Sequence, residues 1–108
     1  MKFHLSALVL ALLLAAPAAS AAGDINLTLK NHRFSPAEIH VKAGTRNLIV
    51  LHNEDATVDE FDSTALKVEK VVAGHSTGKI RLRPLSPGKY PFMGEYHAAT
   101  AQGVVIAE

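Results

Sequence analysis

Four side chains able to hold a ligand stand close together near the end of the chain: Met93, Glu95, His97 and Gln102. They lie within Tyr90-Pro91-Phe92-Met93-Gly94-Glu95-Tyr96-His97-Ala98-Ala99-Thr100-Ala101-Gln102-Gly103. Tyr90 and Phe92 on one side, and Val104 and Ile106 on the other, read as two short strands joined by this loop. A thioether, a carboxylate, an imidazole and an amide at one strand-to-strand turn form a set that can bind something. The competing reading is a polar hairpin with a solvated histidine. The loop alone leaves both open.

The elements that must position this loop are strands. Ile25-Asn26-Leu27-Thr28-Leu29 and Ile39-His40-Val41 alternate apolar and polar, the period of a half-buried strand. Leu48-Ile49-Val50-Leu51 is a continuous β-prone run that predicts a central strand, ended by Asn53-Glu54-Asp55. Val58 and Phe61 bracket Asp59-Glu60 in a short extended piece. Ser63 to Val68 has room for one helical turn with Leu66 inward. Val71-Val72 and Ile80-Arg81-Leu82-Arg83 are further strands, and Pro84-Leu85-Ser86-Pro87-Gly88 is a turn. Seven to eight short strands at this spacing predict an all-β, antiparallel Greek-key β-sandwich.

Composition narrows the function classes. The chain has 108 residues, with 11 basic against 10 acidic side chains, so charge gives no reason to expect nucleic acid or an anionic membrane as a partner. Residues 1–22 read as a secretory signal peptide: Lys2, an apolar run from Leu5 to Ala15, then small residues up to Ala22. That run is shorter than the about 20 residues a membrane-spanning helix needs. Residues 23–108 form one domain, expected in the periplasm, with no further membrane span. There is no cysteine, so an exported domain must hold itself together without disulfides. No nucleophile elbow, phosphate-binding loop or basic aromatic face is present.

Three segments carry a resemblance to the cupredoxins, the small β-sandwich copper proteins. Phe34-Ser35-Pro36-Ala37-Glu38-Ile39-His40-Val41-Lys42-Ala43-Gly44 resembles their opening strand and turn. Asn53-Glu54-Asp55 resembles the Asn-x-Asp before their first histidine ligand. Pro87-Gly88-Lys89-Tyr90-Pro91-Phe92, followed by His97 and Gly103, resembles their ligand hairpin. The site departs from the family pattern. Gly94 stands where the cysteine would be, Asp59-Glu60-Phe61 replaces His-x-Phe, and Gln102 stands at the axial methionine position. Only His97 is retained.

A blue-copper centre requires a copper–thiolate bond, which this chain cannot make. Carboxylates and imidazole suit Cu(II), Fe(II), Mn(II) or Zn(II) better than Cu(I). In an extended segment Glu95 and His97 would point to the same side, with Met93 on that face too. Asp59 and Glu60 would point to opposite faces. One of them would complete the set: Asp59 matches the lost histidine in position, and Glu60 has the longer reach. The candidate metal ligands are therefore His97, Glu95, Asp59, Glu60, Met93 and Gln102. The alternatives are a solvated histidine, surface carboxylates and a methionine packed in the core. The acidic run Glu54, Asp55, Asp59, Glu60, Asp62 either is a solvated loop or attracts cations. His32, His40, His52 and His75 read as surface residues.

Asp-Glu-Phe, Leu66…Glu69-Lys70 and the Phe-x-Gly-Glu-Tyr-His hairpin resemble a cysteine-free group of periplasmic cupredoxins associated with bacterial iron uptake. That resemblance implies a copper or iron ion, possible Fe(II) oxidation with copper as cofactor, and an iron permease as partner. A copper carrier or chaperone and a metal-free interaction domain are the alternatives.

Overall fold

The computed structural model describes residues 23–108; residues 1–22, where a signal peptide is expected, lie outside them. Nine strands follow in order: β1 (Ile25–Lys30), β2 (Arg33–Ser35), β3 (Glu38–Val41), β4 (Asn47–Asn53), β5 (Asp59–Ser63), β6 (Val68–Val72), β7 (Ser76–Leu82), β8 (Gly88–Gly94) and β9 (Gln102–Ala107). One sheet has the order β2-β1-β4-β7, the other β3-β9-β8-β5-β6. Packed face to face they make the expected sandwich. Two pairings, β1 with β4 and β3 with β9, are parallel, so both sheets are mixed. The only helical element among the described residues is a 3-10 turn, Glu95–His97.

Strict alternation puts the core between the sheets. In β4 the buried positions are Asn47, Ile49, Leu51 and Asn53, and β4 lies between β1 and β7 as a central strand should. Leu27, Leu29, Ile39, Val41, Ile80, Leu82 and Val105 complete the aliphatic core. Fully burying each such side chain is worth roughly 1.5–3 kcal/mol. Below the loop end sits an aromatic cluster. Phe61 and Phe92 stack with ring centroids 4.8 Å apart, and Phe34 meets Phe92 edge-on at 5.1 Å. Gly103 allows this packing, because a Cβ there would meet the Phe92 ring at 2.3 Å.

The segment after β5 is a turn that buries Leu66. Ser63 Oγ donates to the Pro91 carbonyl at 2.6 Å and accepts from the Leu66 amide at 3.0 Å. Arg83 closes the turn from outside, donating to the Leu66 and Ala65 carbonyls.

At the loop end, Asn53 is almost fully buried and organises its surroundings. Its amide donates to the Thr57, Val72 and Ala73 carbonyls, and its oxygen accepts from the Asp55 amide. Asp55 then reaches back to the β1–β2 hairpin. There Asn31 and His32 form a two-residue turn with φ of 52° and 56°, the left-handed pair that a tight hairpin needs. Their amides donate to the two Asp55 oxygens at 2.7 and 2.9 Å.

Candidate metal centre

β5 sorts its carboxylates by strand alternation. Asp59, Phe61 and Ser63 face the core, while Glu60 and Asp62 face outward. β8 does the same: Phe92 and Gly94 are buried and Met93 is exposed. The two strands pair with Phe61 opposite Gly94 and Asp62 opposite Met93. Asp59 and Glu60 thus point to opposite faces of the sheet, as extended spacing implies.

The inner site is a hydrogen-bonded pin. Asp59 is only 2% exposed. Its Oδ1 accepts from the Glu60 amide at 2.8 Å and the Tyr96 amide at 3.1 Å. Its Oδ2 accepts from His97 Nδ1 at 2.9 Å. The His97 ring stacks on His32, with centroids 3.6 Å apart and planes 9° from parallel. His32 Nδ1 is buried, 3.4 Å from Asp55 Oδ2, and makes no hydrogen bond. Burial would raise the Asp55 carboxyl. The His32 and Asn31 amides outweigh it and hold Asp55 below its ordinary value.

The outer site is a group of carboxylates. One oxygen each from Glu60, Asp62 and Glu95 lie within 4.8 Å of one another. The Glu60 carboxyl is raised to about 7, chiefly by hydrogen bonding to Glu95, then through loss of solvation and the charges of Glu95, Glu69 and Asp62. Like charges held this close favour a proton or a cation between them. Beside the cluster lies a groove of about 460 Å³, to which Asp62, Met93, Pro91, Ala98 and Gln102 contribute.

The expected ligands thus divide. Glu60 and Glu95 come together, and Asp62 joins them. Asp59 and His97 meet each other on the inner side. Met93, 41% exposed, lies across from Asp62 and Gln102 on the outer face. Gln102 is engaged by the Ala98 carbonyl at 2.9 Å.

The expectation that Met93, Glu95 and His97 share a face by extended spacing is corrected. Glu95–His97 is a 3-10 turn, so spacing by two no longer means one side. The turn forms because the Tyr96 amide is taken by Asp59 and the His97 carbonyl accepts from the Thr100 and Ala101 amides. Asp62 was legible in the sequence, since two residues after Glu60 in a strand is the same face. His32 was not, because its stacking partner is far away in the chain. His40 lies away from both sites, its ring bonded to Glu108 and Glu38.

The inner site does not fit a blue-copper centre. A Cβ on Gly94 would meet Asp59 Oδ2 at 2.7 Å and the Ala101 Cβ at 2.9 Å, so a cysteine there has no space. Strain is not the obstacle, since Gly94 has φ −88°. The outer carboxylates do fit a hard or borderline cation, which prefers oxygen ligands.

A sandwich with a histidine-bearing hairpin between β8 and β9 defines a cupredoxin-type domain. The family model of the cupredoxin-like domain matches residues 3–107, and the chain belongs to that family. An uncharacterized protein of Rickettsia prowazekii (strain Madrid E) is 41% identical over 83 residues, covering 77% of this chain and 66% of that protein. Among solved structures, the metal-binding domain of the Cu(I)-exporting P-type ATPase CopA of Streptococcus pneumoniae, with Cu(I), is similar. Its TM-score is 0.70 at 16% identity, over 79% of this chain and 84% of that one. The blue copper protein auracyanin A of Chloroflexus aurantiacus gives a TM-score of 0.67 at 16% identity, over 79% and 98%. The purple cupredoxin of Nitrosopumilus maritimus gives 0.62 at 14% identity, over 79% and 100%. At these identities the structures share the fold.

Proposed function

We propose that this protein is a periplasmic cupredoxin-like domain that binds a transition-metal ion, copper or iron, at Glu60, Asp62 and Glu95. The observation that carries the reading is the convergence of three carboxylates on one outer face, close enough to raise the Glu60 carboxyl to about 7. A protein gains nothing in stability from crowding like charges. Such crowding is useful where a cation is to be held.

The setting we propose is ferrous-iron uptake. Bound Cu(II) would take one electron from Fe(II) to give Cu(I) and Fe(III), dioxygen would reoxidise the copper, and an iron permease would receive the Fe(III). The resemblance of the Asp-Glu-Phe and Gly-Glu-Tyr-His segments to iron-uptake cupredoxins supports it. The test is aerobic Fe(II) consumption by the full chain loaded with Cu(II). Loss of turnover in Glu60→Gln and Glu95→Gln is the expected result. Turnover no faster than Cu(II) alone overturns the oxidase role.

Met93 favours a second reading. Its exposed thioether lies opposite Asp62, and a soft sulfur beside the carboxylates suits a copper carrier. Cu(I) retention by the full chain that is lost in Met93→Leu would support the carrier.

A further inference from the structure

We propose that Asp59 is the positioning residue of the outer site: its buried carboxylate fixes the spacing of Glu60 and Glu95 from beneath and binds no metal itself. This rests on the reading of Glu60, Asp62 and Glu95 as ligands.

The geometry is specific. The two outer glutamates come from different segments, Glu60 from β5 and Glu95 from the 3-10 turn after β8. Direct strand pairing between β5 and β8 covers only Phe61 with Gly94 and Asp62 with Met93. Beyond Gly94 the chain leaves the sheet, and no ladder bond fixes the backbone that carries Glu95. Asp59 supplies the missing link. One oxygen accepts both the amide of Glu60 itself and the amide of Tyr96, the residue after Glu95. The other holds His97, at the end of the same turn. A single side chain thereby ties both ligand-bearing backbones to one point.

The pin is braced from behind. His97 stacks on His32, and the His32 amide is held by Asp55. Gly94 leaves the space that the Asp59 carboxylate fills. The Asp59 carboxylate is buried on the core side of β5, and three of its acceptor positions are already taken by the fold. It acts as outer-shell partners of metal sites do, by orienting the ligands.

The experiment is calorimetric titration of the full chain with Mn(II), a hard ion that prefers oxygen ligands, comparing wild type with Asp59→Leu, Asp59→Asn, Gly94→Ala and Glu60→Gln. Leucine keeps the branched shape and heavy-atom count, is somewhat bulkier, and removes every acceptor. Asparagine keeps the oxygen that receives the two amides. The expected result is an affinity loss of about tenfold or more in Asp59→Leu, with most of it regained in Asp59→Asn. Gly94→Ala displaces the carboxylate without changing it, and should weaken binding in the same direction even if Asp59→Leu does not fold.

Equal, severe losses in Asp59→Asn and Asp59→Leu would make Asp59 a ligand and overturn the proposal. So would unchanged affinity in both Asp59→Leu and Gly94→Ala. If Glu60→Gln leaves affinity intact while Asp59→Asn abolishes it, the outer-site reading fails separately.

Discussion

The two ends of β5's side chains, inward Asp59 and outward Glu60, sit one residue apart and live in opposite physical regimes. Asp59 is buried and accepts three hydrogen bonds from the fold, which hold it where it is. Glu60 is among other carboxylates, and they raise its carboxyl to about 7. One cluster is satisfied by the protein. The other is left incomplete by it. Strand alternation alone separates the two: one residue along β5 takes a carboxylate from a buried hydrogen-bonded pin to an outer face crowded with like charge.

The largest effect should separate the clusters by stability. Asp59→Leu strands two amides and the His97 ring, and should cost roughly 2–4 kcal/mol in chemical unfolding of the metal-free chain. Glu60→Gln should cost nothing. A comparable loss from both substitutions would erase the distinction between a pin and a site.

Metal binding should reverse the order. Glu95→Gln removes a ligand and should weaken Mn(II) binding by about tenfold or more while leaving folding intact. Asp62→Asn should act in the same direction, by less. Full affinity in Glu95→Gln would exclude the outer cluster.

The pH dependence follows from Glu60. Its carboxyl is raised in the fold from 4.5 to about 7, so the folded state holds a proton that the unfolded chain has already lost in that window. This contribution to stability is complete below about 4.5 and fades as pH rises through about 7. The metal-free chain should therefore melt lower at pH 8 than at pH 5 on account of this cluster, and Glu60→Gln should flatten that difference. Cation affinity should rise over the same window as the Glu60 proton is displaced. Melting that is equally pH-dependent in Glu60→Gln would place the titrating group elsewhere.

The smallest effect concerns the brace. His32→Ala removes a stacked ring and should cost about 1 kcal/mol, with little change in cation affinity. A large affinity loss would make the histidine pair part of the binding site.

How much of this was legible depended on the range of the interaction. β4 could be read as a continuous β-prone run, Leu48 to Leu51, and strand alternation is a local rule of the same kind. The opposite facing of Asp59 and Glu60 came from the same rule. Glu95 to His97 could not be read this way, because the 3-10 turn is set by Asp59, a residue far back in the chain. His32 looked like a surface residue for the same reason. Its role depends on a left-handed hairpin, held by Asp55, that lays its ring on His97. The parallel pairings of β1 with β4 and β3 with β9 have no local signature either.

The decisive measurement is Mn(II) affinity of the full chain in Glu95→Gln beside His97→Gln. Glu95→Gln should lose most of the affinity and His97→Gln keep most of it, because the imidazole is bonded to Asp59 on the inner side and the outer carboxylates are the proposed ligands. Affinity lost in His97→Gln and preserved in Glu95→Gln would place the metal at the inner pair of Asp59 and His97 and rule out the outer site.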